Sequence, residues 1–430
     1  MTKKNEITIE PIARVEGHGG IKVEIEDNTI SKVEVQILEG PRLFETLVVG
    51  RTPQEDISIV PRICAICNLS HKYAALRGLE KALGVEIDLM TQLYRQLMHL
   101  GEIIESHSLH IYFLALPDYL GYDNAFLMVD KYEEIVTNAL KLKKFGNKIM
   151  RMIGGRIIHG ENPIIGGFGK LPTKEQLIKI KEEAMELLPF AIETIDLFAR
   201  LEIPDHMERE TQFLCCKPPH ENYDYYGNNF ITSDGKEHSV ENYNSVIKER
   251  VVSHSFAKRG KYRDRPFTVG ALARVLLLGD RLKGKAREAH DKLINERWYR
   301  NPLFNNHAQA IEQIYSLERI PEIINEILSC TKSTVIKPTN KTGIGTGAVE
   351  APRGTLIHHY EVKDGVISAA NIITPTVMFL DDIEEFIRTS GNTLLAKNQI
   401  DKIELEFEKI ARAYDPCISC SAHIVELIYK

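Results

Sequence analysis

The chain has 430 residues, 43% of them hydrophobic and 27% charged, and carries a formal net charge of −6. That length leaves room for a substantial buried core, and the mild acidity gives nucleic acid no electrostatic footing. No apolar run is long enough to span a bilayer, and the opening MTKKNEITIEPIARVEG lacks the apolar centre of a signal peptide, so the expected setting is the cytoplasm.

Strand-like alternation opens the chain. IKVEIE (21–26) and ISKVEVQI (30–37) flank a short polar turn, which predicts a β-hairpin. HKYAALRGLEKALG then has helical spacing, with Gly84 as its C-terminal stop. Apolar positions recur at helical spacing from Thr91 to Leu116, and the helix is expected to end at Pro117. Thr173 and Gln176 form a capping-box pattern that starts another helix, running to about Glu202. The polar, aromatic stretch 221–243 predicts loop or short strands. Further helices are expected over 269–298 and 305–330, strand alternation returns around the Lys363-Asp364-Gly365 turn, and a last helix covers 398–414. The expected class is α+β: one domain over residues 1–430, a large, mainly helical body with a small β-sheet region built from the N-terminal and C-terminal segments.

Seven cysteines in so long a chain do not make a disulfide framework. Cys215, Cys216 and Cys330 follow no ligand spacing and are expected to be small buried hydrophobes. The other four form two Cys-x-x-Cys pairs, Cys64/Cys67 in RICAICNLSH and Cys417/Cys420 in DPCISCSAH. This spacing lets both sulfurs of a pair reach one metal ion. Structural zinc is the commonest occupant of a four-cysteine site, and an iron–sulfur cluster is the next. Zinc ribbons, however, usually place their pairs close in sequence to replace a core that a small domain lacks. Here the pairs lie at opposite ends of a chain with ample core, and each has ionisable neighbours: Arg62 and His71 for one, Asp415 and His423 for the other. His107 and His110, one helical turn apart, are expected to be satisfied core histidines, with support of the site as the alternative. GIGTG (343–347) imitates a dinucleotide loop, but Pro352 follows and no helix N-terminus stands behind it, so no nucleotide is expected there.

Seven segments occur in an order that resembles the large, catalytic subunit of nickel–iron hydrogenases: RVEGHGG, PRLFE, RICAICNLSH, SHSLHIYFLALPD, GGRIIHGENPIIGGFG, EAPRG and DPCISCSAH. The likeness is strongest to the cytoplasmic bidirectional type linked to NAD(P), ferredoxin or sulfur. The resemblance implies reversible heterolytic oxidation of H2. It implies nickel held by Cys64, Cys67, Cys417 and Cys420, with Cys67 and Cys420 bridging to an iron that carries carbon monoxide and cyanide. It further implies that Arg353 lies over the metals, gripped by Asp118 and Asp415, that Thr376 donates to a cyanide, and that Glu16 takes a proton from Cys420. Glu45, the Ile372 carbonyl and His423 would hold a second cation, magnesium or iron. The implied partners are an iron–sulfur small subunit and a flavin- or NAD(P)-binding or ferredoxin-linked electron-transfer subunit, together with nickel-insertion proteins and an endopeptidase that removes residues 424–430. Respiratory complex I contains a relative of this fold without the cysteines, so the alternative is a zinc-stapled scaffold subunit without hydrogenase activity.

Overall fold

The computed structural model describes residues 4–330 and 334–422. His423 and the tail 424–430 lie outside the described residues. The N-terminal segments form a three-stranded antiparallel sheet, β1 (Lys4–Ile9), β2 (Gly19–Glu26) and β3 (Thr29–Ile37), in that order. The predicted hairpin is present, and Asp27 and Asn28 at its tip both take left-handed φ angles, 48° and 61°, the conformation a two-residue turn of this hand requires.

The longer helices are α1 (Asn68–Ala82), α2 (Leu89–Ser108), α3 (Val129–Gly154) and α4 (Lys174–Phe198), followed by α5 (Ala271–Leu278), α6 (Gly284–Leu293), α7 (Asn305–Ser329), α8 (Pro375–Ala396) and α9 (Ile403–Ala413). The capping box at the start of α4 is formed as its sequence predicts, with Thr173 accepting from Gln176 N and Gln176 reaching back. Two expectations fail here. The helix expected to stop at Pro117 instead widens into a π turn over Leu109–Ala115 and resumes as Leu116–Leu120; Pro117 falls at the start of that last piece, where its missing N–H is not needed. The single helix expected over 269–298 is broken into α5 and α6, the second opening at Gly284 with φ 57°.

The two ends do not share one sheet. Besides β1–β3, a four-stranded sheet uses β4 (Gln212–Lys217), β5 (Asn229–Thr232), β6 (Glu237–Ser239) and β7 (Phe267–Thr268), and a three-stranded one uses β8 (Gly343–Ala351), β9 (Gly354–Lys363) and β10 (Val366–Ile373). GIGTG lies in strand β8 and is not a phosphate loop. Among the described residues the two ends meet at a parallel bridge, Glu16 to Cys417, and through Arg42 N, which donates to Ala422 O at 3.1 Å. Apolar side chains bury themselves in two clusters. One lies among α1, α2, α3, α4 and α7; the other lies between the N-terminal sheet, α8 and α9. The cysteine pairs sit where these bodies meet. Among the described residues, no helix is long and apolar enough to cross a membrane.

Candidate metal centre

Cys64 follows a 3-10 turn, Val60–Ile63, and Cys67 occupies the N-cap position of α1. Cys417 and Cys420 flank the first turn after α9. Asp415 makes the bend into that turn with φ 51°, a left-handed angle that aspartate tolerates. The four Sγ atoms all lie within 4.8 Å of one another. Cys64 and Cys417 are 3.3 Å apart, Cys67 and Cys420 3.2 Å, and Cys417 and Cys420 2.7 Å. All four are buried and free of disulfides. Cys215 and Cys216 are buried as expected; Cys330 is only half-buried.

Electrostatics define what the pocket can hold. Hydrogen bonding from Cys417, then from Cys420, holds the Cys64 thiol well below the ordinary value, and Ile66 N and Cys67 N also donate to its sulfur at 3.3 and 3.4 Å. Burial pushes Cys417 and Cys420 well above it. Four adjacent sulfurs in a dry pocket cannot all ionise unaided; a soft cation bound by the set would displace the remaining protons. The donor set therefore fits a soft, thiolate-bound metal.

Arg353 is the cationic side chain over this cluster, at 3% exposure. Burial opposes its charge, and Asp415, followed by the cysteines, raises it well above the usual guanidinium value. Its Nε donates to Asp415 O at 2.7 Å and Oδ1 at 3.1 Å, and its Nη2 lies 3.0 Å from Oδ1. Its Nη1 is buried without a hydrogen-bond partner among the described residues, an orphaned donor at the centre of the site. Thr376 Oγ1, fully buried, accepts from Cys417 N at 2.9 Å. Glu16 Oε2 accepts from Ser419 N at 3.1 Å and lies 3.2 Å from Cys417 Sγ. The resemblance pairs Glu16 with Cys420; the hydrogen bond found is with Cys417.

Asp118 is the clear correction. It does not grip Arg353. Its carboxylate takes Arg412 Nε and Nη2 at 2.7 and 2.9 Å and pairs with Arg14. The π turn before it rotates this residue away from the position an unbroken helix would give. Asp118→Ala should therefore cost stability, about 3 kcal/mol or more, since it strands buried guanidinium charge. Thermal denaturation should show a lowered midpoint while turnover per bound nickel falls little. Unchanged stability with lost turnover would return Asp118 to the site.

Glu45 accepts from Ile372 N at 2.7 Å. Burial, opposed by Lys258, pushes its carboxyl up to about 7. His423, its expected companion, lies outside the described residues. Both histidines lie in the core, but only His110 is satisfied at both nitrogens, by Gln309 Oε1 at 2.5 Å and Arg412 O at 2.7 Å; His107 Nε2 meets Glu312 at 2.7 Å while its Nδ1 has no hydrogen-bond partner among the described residues.

Several supporting residues escape sequence reading. Gln309 Nε2 donates to Asp415 Oδ2 at 3.2 Å, bracing the carboxylate that grips Arg353. Arg274, fully buried and held by Glu312 and Glu350, donates to Ala351 O at 3.0 Å and Pro352 O at 3.2 Å, the two carbonyls preceding Arg353. Arg42 Nη2 donates to Ile63 O at 2.6 Å and also to Ser419 O, stapling the two motifs. His71, which the sequence marks only as a neighbour, lies between Cys420 Sγ at 3.5 Å and His358 Nε2 at 3.0 Å. PRLFE contains Arg42, but no local pattern points to Arg274, Gln309 or His358.

Comparison with known proteins agrees with this geometry. The nickel-dependent hydrogenase family model matches residues 42–137 and 218–423, and a HoxL-like model matches 6–39. The chain is 43% identical to the alpha subunit of sulfhydrogenase 1 from Pyrococcus furiosus over 98% of both chains. It is 33% identical to the vhu-type F420-non-reducing hydrogenase chain of Methanocaldococcus jannaschii, over 90% of this chain and 99% of that one. A solved NAD+-reducing [NiFe]-hydrogenase in the H2-reduced state superposes with a TM-score of 0.90 at 26% identity, covering 97% of this chain and 99% of that one. None of these is a zinc scaffold; the chain belongs to the nickel-dependent hydrogenase family, as a catalytic large subunit of the nickel–iron type.

Proposed function

We propose that the chain carries out reversible heterolytic cleavage of H2 at nickel held by Cys64, Cys67, Cys417 and Cys420, with Cys67 and Cys420 shared with an iron bearing carbon monoxide and cyanide. The observation that carries this reading is the cluster of four buried sulfurs beneath a guanidinium with one unused donor. When bound, the metal pair supplies Lewis acidity and accepts the electrons.

The protein's own contribution is preorganised charge. Asp415 fixes the Arg353 plane by two contacts to one Oδ1, 3.1 Å from Nε and 3.0 Å from Nη2, which leaves Nη1 free to meet a cyanide nitrogen or to polarise hydrogen. Thr376 accepts through its oxygen, so its hydroxyl hydrogen is free to donate to a cyanide. Glu16 takes the departing proton. Its Oε2 is 3.2 Å from Cys417 Sγ, and Cys417 Sγ is 2.7 Å from Cys420 Sγ, which supports Cys417 as the sulfur next to the relay. Glu45, the Ile372 carbonyl and His423 hold a second cation, magnesium or iron; the supporting observation is the Glu45–Ile372 contact. Electrons leave through an iron–sulfur small subunit toward a flavin- or NAD(P)-binding or ferredoxin-linked partner in the cytoplasm, a reading supported by relatives named as subunits of sulfhydrogenase and NAD-reducing enzymes.

Elemental analysis of the purified complex, with infrared spectroscopy, tests the centre. Nickel together with iron is expected, the iron in excess of the nickel because the small subunit brings iron–sulfur clusters, with bands from metal-bound carbon monoxide and cyanide; zinc alone would overturn the proposal. The whole chain acts as one domain, and we read residues 424–430 as a propeptide cut after nickel insertion. Ser421 and Ala422, the last described residues, are fully buried. Intact-mass measurement of active enzyme from its native host should give a chain ending at His423; a fully active chain retaining the tail would refute the cut.

A further inference from the structure

A cavity of about 650 Å³ opens on the far side of the helical body, between α1, α2, the C-terminal half of α7 and the segment 219–228. It shares no lining residue with the four-cysteine cluster, nor with Arg353, Asp415, Glu16 or Thr376. Its size is that of a small-molecule site.

The lining has a chemical bias. One wall is apolar and aromatic, with Leu89, Leu93 and the rings of Tyr223 and Tyr315. The Tyr223 and Tyr315 hydroxyls are already used, on Glu312 Oε1 and on Tyr223 O. The floor holds donors that are not used. Tyr73 Oη, Arg77 Nε, Arg95 Nε and Tyr226 Oη are buried without a hydrogen-bond partner among the described residues, and Tyr73 is only 1% exposed. Buried donors of this kind are normally satisfied, so a cluster of them around one cavity calls for an acceptor from outside the chain.

Charge points the same way. Each carboxylate of the lining already has donors: Asp224 takes Gln96 and faces His220 at 3.3 Å, Glu318 takes Lys285 N and Ala286 N, and Glu322 and Glu326 take Arg319. Three of the cations have only neutral partners. Among the described residues, Arg77, Arg281 and Lys283 have no carboxylate within ion-pair distance. Arg77 lies over the Tyr226 ring at 5.6 Å and donates to Asn228 Oδ1 at 2.9 Å; Arg281 donates to His220 O and Lys283 to Asn222 Oδ1. Arg77 is half-buried, and a partly desolvated guanidinium without a counter-charge gains from an anion that joins it.

We propose that this cavity binds a small organic anion, a flat apolar body carrying a phosphate or carboxylate. The anionic oxygens meet Arg77, Tyr73 and Tyr226 on the floor, with Arg281 and Lys283 at the mouth, and the flat body lies against Tyr223, Tyr315 and Leu93. The guanidinium–anion pairing is charge-assisted and desolvated, which gives it most of the discrimination.

Calorimetric titration of the assembled, metal-loaded enzyme with 1-naphthyl phosphate and with 1-naphthoate tests this. At least one should bind saturably with a Kd below about 1 mM, and neutral 1-naphthol should bind about 10-fold or more weaker. Which of the two binds more tightly fixes the anion class. Arg77→Met should weaken the anion about 10-fold or more. The rim variant Arg281→Met/Lys283→Met, which leaves the floor intact, should weaken it several-fold and lower its salt sensitivity. Equal affinity for 1-naphthol, no saturable binding of either anion, or unchanged affinity in the folded rim variant would overturn the proposal.

Discussion

Cys420→Ser should abolish hydrogen turnover while leaving the chain folded. The serine hydroxyl is a hard, weakly acidic donor where a soft thiolate is required to hold a redox metal. Cys420 Sγ lies 2.7 Å from Cys417 Sγ and 3.2 Å from Cys67 Sγ, so its loss breaks the set at its most crowded point. A small metal-stapled domain would unfold on such a change. This chain should not, because its two apolar clusters are built from helices and strands that surround the cysteines without depending on them. Circular dichroism of the variant should retain the helical signal, nickel content should fall, and turnover should drop below detection. Full activity would sink the assignment of Cys420 as a shared ligand; general unfolding would show that the metal contributes to the fold itself.

How much of this can be read from the sequence depends on the range of the interaction that determines each feature. The β2–β3 hairpin and the capping box at Thr173–Gln176 are settled by neighbours a few residues away, and both appear as expected. The four cysteines are legible for a different reason: two Cys-x-x-Cys pairs in a reducing chain are rare without a metal, even though 353 residues separate the partners Cys64 and Cys417. Asp118 shows where this fails. Its role depends on the π turn at Leu109–Ala115, a one-residue change in helix winding that no apolar period reports. Helix α8 is absent from the elements expected from sequence, although Thr374-Pro375 is an ordinary helix start. Arg274, Gln309 and His358 are invisible in the sequence because a polar residue on a long helix or strand resembles a solvated one until the fold buries it. All three are buried with at most 1% exposure.

Arg353→Lys should lower turnover by about 100-fold or more, with nickel and iron content nearly unchanged. The expectation rests on shape, since both side chains are cationic. The Arg353 guanidinium lies in a frame with three supports. Asp415 takes Nε and Nη2, Gln309 braces the far oxygen of that carboxylate, and Arg274 holds the carbonyls of Ala351 and Pro352 from behind. The frame fixes a plane, and Nη1 projects from it as the one unused donor. Lysine has a single nitrogen: an ammonium that reaches Asp415 cannot also occupy the Nη1 position, and one that reaches the metals leaves the Asp415 carboxylate buried with only Gln309. Either placement removes a preorganised donor from a dry site, a loss worth about 2.7–4 kcal/mol in comparable sites, or two to three orders of magnitude in rate. Rate measured per bound nickel, beside infrared bands that report any change at the cyanides, separates this from damage to the centre. A near-normal rate in Arg353→Lys would mean that charge alone suffices there and that the planar fork only holds the loop.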